Sequence, residues 1–267
     1  MKSLNGQELA DYIKERQFKA VKPHFPRPAK LLILKDSDNP VIEKYVELKR
    51  EYGEEIGVLV EIKTVATDEM TDAIEKANKD ETIDGMIVQL PLLDTKKTDD
   101  ILSKIAPDKD VDGLIGEKSD FQSATAEAIV WLLNGYNIEL KGKKIAIVGR
   151  GRLVGKPLER ILGSQNLDFT VFTSKDSDRL LTLLPEYDII ISATGVAGLI
   201  KRNMLKKGAV VVDAGTTSED GVLMGDLDNK ARDRSDLILT PKIGGVGPLT
   251  ITVLFEHVLS AYRGRLG

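Results

Sequence analysis

Tyr45 and Lys49 stand four residues apart in a stretch with helical patterning, a spacing that sets both side chains on one face. A phenol ring can stack on a flat substrate and an amine can deliver a proton or a charge, so the pair suits acid–base work on a ring-bearing molecule. The same spacing also suits a solvated lysine beside a half-buried tyrosine. Gln89 ends an apolar run just before Leu90 and Pro91, and strand ends of this kind face the ligand crevice of open α/β sheets. Asp112, in KDVDG, follows in a loop. A lysine that moves protons benefits from a partner that holds it and from desolvation that lowers its pKa.

A second group lies a hundred residues on, in IVGRGRLVGKPL. Gly149, Gly151 and Gly155 are spaced one residue longer than the commonest dinucleotide fingerprint. Glycine lets backbone approach a pyrophosphate, and the helix that starts through Leu153 and Val154 favours an anion at its N-terminus. A tight strand-to-helix bend without a ligand has the same composition. Ala193–Thr194–Gly195 and Gly215–Thr216 end two later strands in small residues, which leaves room for a flat ligand. A site for NAD usually ends its second strand in an acid that binds the ribose hydroxyls. Here that strand ends in Thr173–Ser174–Lys175, with no acid at its tip, and Arg150 and Arg152 lie in the glycine turn. Cationic and hydroxyl groups suit a 2′-phosphate, so NADP is the expected nucleotide and NAD the second choice.

The elements that must position these residues alternate. Helical patterning covers Leu4–Ala20, a helix starts at Asn39–Pro40 and stops near Gly57, and another covers Met70–Asp80. Strands fall at Lys30–Leu34, Val58–Ala66 and Gly85–Leu92. The alternation restarts with a helix over Thr125–Asn134, then strands over Lys143–Gly149, Asp168–Thr173, Asp188–Gly195, Gly208–Gly215 and Asp236–Pro241. Such alternation implies parallel strands and right-handed crossovers. The expected fold class is α/β: two lobes around a cleft, residues 1–118 and 119–247, the second a Rossmann-type dinucleotide-binding domain. The segment 248–267 is expected to form a last helix that returns to the first lobe.

Bulk properties narrow the classes. Over 267 residues, 42% are hydrophobic and 30% charged, enough for sizeable cores. A net charge of −4 gives no reason to expect nucleic acid or an anionic membrane. Without cysteine, and with only His24 and His257 far apart, thiolate catalysis is excluded and no metal site is expected. The start MKSLNGQELADYIKERQ has no apolar signal core, so a cytoplasmic location is expected, and no apolar run approaches membrane-spanning length.

Together these stretches resemble one family, the bifunctional methylenetetrahydrofolate dehydrogenase/methenyltetrahydrofolate cyclohydrolases of the FolD type. The resemblance runs through YVELK, IDGMIVQLPL, PDKDVDG, VGRGRLVGKP, GDLD and TPKIGGVGPLT, in the family's order and over nearly the whole chain. It implies a homodimer that oxidises 5,10-methylene-tetrahydrofolate with NADP and hydrolyses the methenyl product to 10-formyl-tetrahydrofolate. It implies Lys49 as the central acid–base group, Tyr45 stacked on the folate ring, Gln89 orienting Lys49, and Asp112 on the pterin edge. Leu90, Pro91, Gly244, Gly245, Pro248 and Thr250 would line the folate pocket. The chain departs from the family pattern at Ile42, Leu114–Glu117, Ser123–Ala126, Gly151, Gly215–Thr217 and Lys242–Ile243. Two further readings use the same residues: a dehydrogenase of another small substrate on a similar scaffold, such as a shikimate-type enzyme, and a nucleotide-binding regulatory module without catalysis.

Overall fold

Short apolar runs bounded by turn residues become parallel strands, and those at Lys30–Lys35, Gly85–Val88, Ile145–Val148 and Ile189–Ser192 are buried on both faces. The structure, a computed structural model, describes residues 2–21, 26–219 and 222–265; His24 lies outside them. The chain opens with a two-residue strand, β1 (Lys2–Ser3), and a helix, α1 (Gly6–Val21). It divides into two compact units, one of residues 11–124 and 251–267, the other of residues 1–10 and 125–250.

The first unit carries β2 (Lys30–Lys35), α2 (Pro40–Ile56), β3 (Leu59–Thr64), α3 (Met70–Lys79), β4 (Gly85–Val88) and the short α4 (Thr98–Leu102). Its sheet runs β3-β2-β4, all parallel. The central strand, KLLILK, is buried over its last five residues, which is why it reads as a continuous apolar run rather than an alternating one. One side of the sheet packs Leu32, Leu34, Met86 and Val88 against Met70 and Ile74 of α3 and Ile101 of α4. Helix α2 starts where the sequence predicts: the Asn39 side chain accepts from Val41 N at 2.9 Å, with Pro40 in the first turn. It ends at Gly57, whose φ of 84° is left-handed, a conformation glycine takes without Cβ strain. Strand β4 stops at Val88, four residues short of the predicted end; Gln89 N still bonds Leu34 O, but Pro91 has no N–H to continue the ladder.

In the second unit, α5 (Ala124–Gly135) leads into β5 (Ile145–Val148), α6 (Gly155–Ser164), β6 (Phe169–Phe172), α7 (Ser177–Leu183), β7 (Ile189–Ser192) and β8 (Val210–Asp213). A hairpin of β9 (Thr217–Glu219) and β10 (Val222–Met224), then α8 (Asn229–Arg232), β11 (Ile238–Leu239) and α9 (Val246–Gly264) complete the chain. The sheet order is β1-β11-β8-β7-β5-β6, parallel throughout. Strand β5 lies between β6 and β7, so the order of the chain reverses there, and the carboxyl ends of β5 and β7 form the topological switch point of a doubly wound sheet.

The units differ from the ranges 1–118 and 119–247 at both ends. Lys2 and Ser3 pair with Ile238 and Leu239, so β1 belongs to the nucleotide-type sheet and the first ten residues to its unit; a two-residue strand is too short to show a period. Residues 119–124 stay with the first unit, where Asp120 N bonds Pro107 O. From Ile251 on, α9 also belongs to the first unit. Its Phe255 ring stacks on Tyr52 with centroids 5.0 Å apart, and Gly53 makes room for it, since a Cβ there would lie 3.1 Å from the ring. Among the described residues no helix is long and apolar enough to cross a membrane.

Phe255 is fully buried, so Phe255→Ala is expected to cost about 3–5 kcal/mol of stability, read as a lower midpoint in urea unfolding.

Candidate active site

Lys49 lies on the third turn of α2, one turn after Tyr45. Its Nζ donates to Gln89 Oε1 at 2.6 Å. Gln89 in turn donates Nε2 to the Leu90 carbonyl at 3.0 Å, which fixes the amide so that its oxygen faces the lysine. Burial pushes the Lys49 pKa down, and the charge of Asp112 opposes it. Burial pushes Asp112 up, while Lys49 and His257 pull it back. An amine and a carboxyl whose pKa values move toward each other have the electrostatics that proton handling requires. Lys49, Gln89 and Asp112 are thus brought together; Tyr45 is half-buried on the same helix face.

The loop that presents Asp112 is held from below. Asp110, fully buried, accepts from Leu114 N and Ile115 N at 3.0 Å each, and burial pushes its carboxyl up to about 6. Gly113 has φ 66°, and a Cβ there would meet the Gln122 carbonyl oxygen at 2.4 Å, so only glycine fits the turn. His257 of α9 donates Nδ1 to the Val111 carbonyl at 2.8 Å, and its ring lies 5.0 Å from Phe121. Sequence patterning gives Asp110 and His257 no role, because Asp110 bonds amides of its own irregular loop and His257 bonds a carbonyl 146 residues away.

The three glycines of the turn do different things. Gly149 has φ 103°, and a Cβ there would lie 2.5 Å from the Ala193 carbonyl oxygen. Gly155 packs on the turn itself, with a Cβ falling 2.1 Å from Gly149 O. Around Gly151 nothing lies within 4 Å of a Cβ. Two glycines are therefore demanded by the chain's own packing and the third opens onto space, which is the fit a bound pyrophosphate needs. Gly149 N bonds Phe172 O and Ala193 N bonds Val148 O, each at 2.8 Å, so Arg150, Thr173 and Ala193 follow from adjoining strand ends. Val154 is buried and Leu153 exposed; Arg152 and Ser174 are exposed.

One expectation needs correction. An acid does stand at the tip of β6: Asp176 folds back so that its carboxylate accepts from Thr173 N at 2.9 Å and Thr173 Oγ1 at 3.1 Å, and these bonds hold its pKa down. This is a capping box, with Thr173 as N-cap; its three-residue spacing is legible in sequence once the cap is recognised. Arg150 is also engaged, its Nε and Nη2 bonding the two carboxylate oxygens of Glu159 at 2.7 and 3.0 Å.

Strand ends further along are tied by two aspartates that sequence reasoning did not single out. Asp226, in GDLD, accepts from Ser192 Oγ at 2.6 Å and Thr194 N at 2.7 Å. Asp213 accepts from Gly215 N, Asp226 N and Leu227 N at 3.0–3.1 Å and pairs with Arg232. Gly215 is required there, since a Cβ would lie 2.0 Å from Asp226 Oδ1. Thr194, Gly195, Gly215 and Thr216 are therefore held on one buried carboxylate framework. Gly244, Gly245, Pro248 and Thr250 also belong to this unit, at the start of α9, where Gly244 O accepts from Gln7 N at 3.0 Å. Among the described residues no three His, Asp or Glu side chains group to hold a metal ion.

Two family models match the chain in tandem: the catalytic domain of tetrahydrofolate dehydrogenase/cyclohydrolase over residues 4–112, and its NAD(P)-binding domain over residues 123–266. The bifunctional protein FolD of Lactobacillus helveticus is 37% identical, over 98% of this chain and 94% of that protein. The crystal structure of the bifunctional FolD methylenetetrahydrofolate dehydrogenase/cyclohydrolase from Campylobacter jejuni superposes with a TM-score of 0.92 at 31% identity, covering 99% of each chain. The Trypanosoma brucei FolD, solved with NADP cofactor and an inhibitor, gives 0.88 at 27% identity over 99% of this chain and 98% of that one. With both domain models matched and a full-length relative above 30% identity, the chain belongs to the tetrahydrofolate dehydrogenase/cyclohydrolase family.

Proposed function

We propose that this protein oxidises 5,10-methylene-tetrahydrofolate to the 5,10-methenyl form with NADP and hydrolyses that product to 10-formyl-tetrahydrofolate. The observation that carries the reading is the half-buried Lys49–Gln89–Asp112 group, in a chain that matches both domains of the family. NADP, when bound, supplies the hydride acceptor; Gly149–Val154, Thr173–Ser174, Ala193–Gly195 and Gly215–Thr216 are the residues proposed to hold it. Oxidation removes a hydride and leaves a cationic methenyl carbon. Hydrolysis adds water to that carbon, breaks one of its bonds to nitrogen, and releases one proton. Neutral Lys49 takes the proton from the attacking water, and Gln89 Oε1 keeps the amine aimed. Tyr45 stacks on the folate ring, Asp112 binds the pterin edge, and Leu90 and Pro91 line the pocket in the first unit.

The homodimer and the cytoplasmic location belong to the same proposal. They rest on the family resemblance and on a chain without cysteine, and sedimentation of the purified protein tests the first.

Purified protein is expected to reduce NADP on addition of methylene-tetrahydrofolate and to hydrolyse methenyl-tetrahydrofolate without nucleotide. No turnover with NADP or NAD overturns the reading. Lys49→Met should abolish hydrolysis, by at least about 100-fold, the scale of general acid–base catalysis, while NADP binding is kept. Because burial lowers the Lys49 pKa and the neutral amine is the working form, the hydrolysis rate should rise with pH and level off below the ordinary lysine value of about 10.4. A rate that falls over that range assigns the proton to another group. Of the turn glycines, Gly151→Ala should fold normally but weaken NADP binding, whereas Gly155→Ala should lower the thermal midpoint itself.

A further inference from the structure

The Arg150 side chain in the glycine turn is bonded through two nitrogens to a single carboxylate, Glu159 of α6. The Arg150 side chain is 55% exposed and that of Glu159 20%, so the pair sits at the surface with the acid as its better-anchored half. The pairing raises the Arg150 pKa further, which keeps the guanidinium charged. A carboxylate and a phosphate use the same fork of guanidinium N–H donors. Gly149 N bonds Phe172 O, which sets Arg150 beside Thr173 at the tip of β6, the strand end that reads the adenine ribose in doubly wound folds. On that tip lies the second acid, Asp176, hydrogen-bonded to Thr173.

A 2′-phosphate arriving there competes with Glu159, which already occupies the Nε–Nη2 fork of Arg150, and it meets the like charge of Asp176. A 2′-hydroxyl does neither. Glu159 is not explained by the fold: it lies on the partly exposed face of α6, while Pro157, Leu158 and Leu162 supply the helix's buried contacts. Among the described residues its carboxylate bonds Arg150 alone.

We propose that Glu159 is a specificity-determining residue for the nucleotide: by holding Arg150 it withholds charge from the 2′-phosphate and brings the use of NADP and NAD closer together. This rests on the reading of the glycine turn as the dinucleotide site. Glu159 acts through Arg150 and touches neither substrate nor the reacting atoms.

The test uses the full-length protein and four forms: wild type, Glu159→Gln, Arg150→Ala and the double variant. Two readouts are taken, kcat/KM for NADP and for NAD with methylene-tetrahydrofolate, and calorimetric binding of 2′,5′-ADP against 5′-AMP, which differ in the 2′-phosphate. Glu159→Gln should raise kcat/KM for NADP and tighten 2′,5′-ADP about two- to five-fold, the scale of an exposed ion pair. NAD and 5′-AMP should be unchanged within the same measurement. Arg150→Ala should weaken 2′,5′-ADP, and on that background Glu159→Gln should have no further effect, because the residue it acts through is gone. An unchanged ratio of NADP to NAD in Glu159→Gln overturns the proposal, as does weaker binding of 2′,5′-ADP, which would mean that Glu159 presents Arg150 instead of withholding it. If wild type binds neither probe and turns over neither nucleotide, the reading of the turn falls and this inference with it. If wild type uses both and the variant changes neither, only the inference falls.

Discussion

A lysine ammonium partly withdrawn from water must be matched by polar partners or give up its proton more readily, and that constraint governs the first unit. Lys49 is supplied with one neutral acceptor, Gln89, and one acid, Asp112, itself desolvated. A second carboxylate in direct contact would lock the amine in its charged form; a purely apolar setting would discharge it. The amide of Gln89 holds the nitrogen in place without strongly favouring either state. The rest follows from keeping those three groups in register. Strand β4 must end at Val88 to release Gln89, α2 must start at Asn39 to bring Lys49 round, and Asp110 must pin the loop that carries Asp112.

Much of this was legible in the residues. The helix cap at Asn39–Pro40, the apolar strands and the i, i+4 pair of Tyr45 and Lys49 are local signals, and local signals survive folding. The roles of Gln89 and Asp112 needed the family resemblance, since neither spacing nor composition brings residues 40 and 63 positions away to Lys49. What stayed hidden were contacts that span the sequence: β1 with β11, Asp226 with Ser192 and Thr194, His257 with Val111. Asp176 is the instructive miss. Reading the tip of β6 by adjacency found no acid, yet a capping box three residues on returns one to that place.

The second unit shows how buried charge can shape backbone instead of chemistry. Asp213 and Asp226 take five hydrogen bonds from the loops after β7 and β8 and from the segment before α8, four from backbone N–H groups and one from Ser192. Fixing amides with carboxylates leaves the outer edge of those loops to backbone and small residues. A flat ligand can lie against such an edge, and the glycine at 215 is the consequence of the framework as much as of the ligand.

Neither unit is a continuous stretch of chain. The nucleotide-type sheet takes its edge strand from the first ten residues, and the unit that holds Lys49 takes the greater part of α9 from the last seventeen. During synthesis the residues around Lys49 leave the ribosome early, but the helix that covers Tyr52 and reaches Val111 is made only after the second unit. The catalytic half therefore cannot finish folding until the residues of α9 from 251 on have been made. A gene cut near codon 124 would yield two fragments that each lack a piece of their own core, so the two halves of this enzyme are bound to be inherited, expressed and shuffled as one.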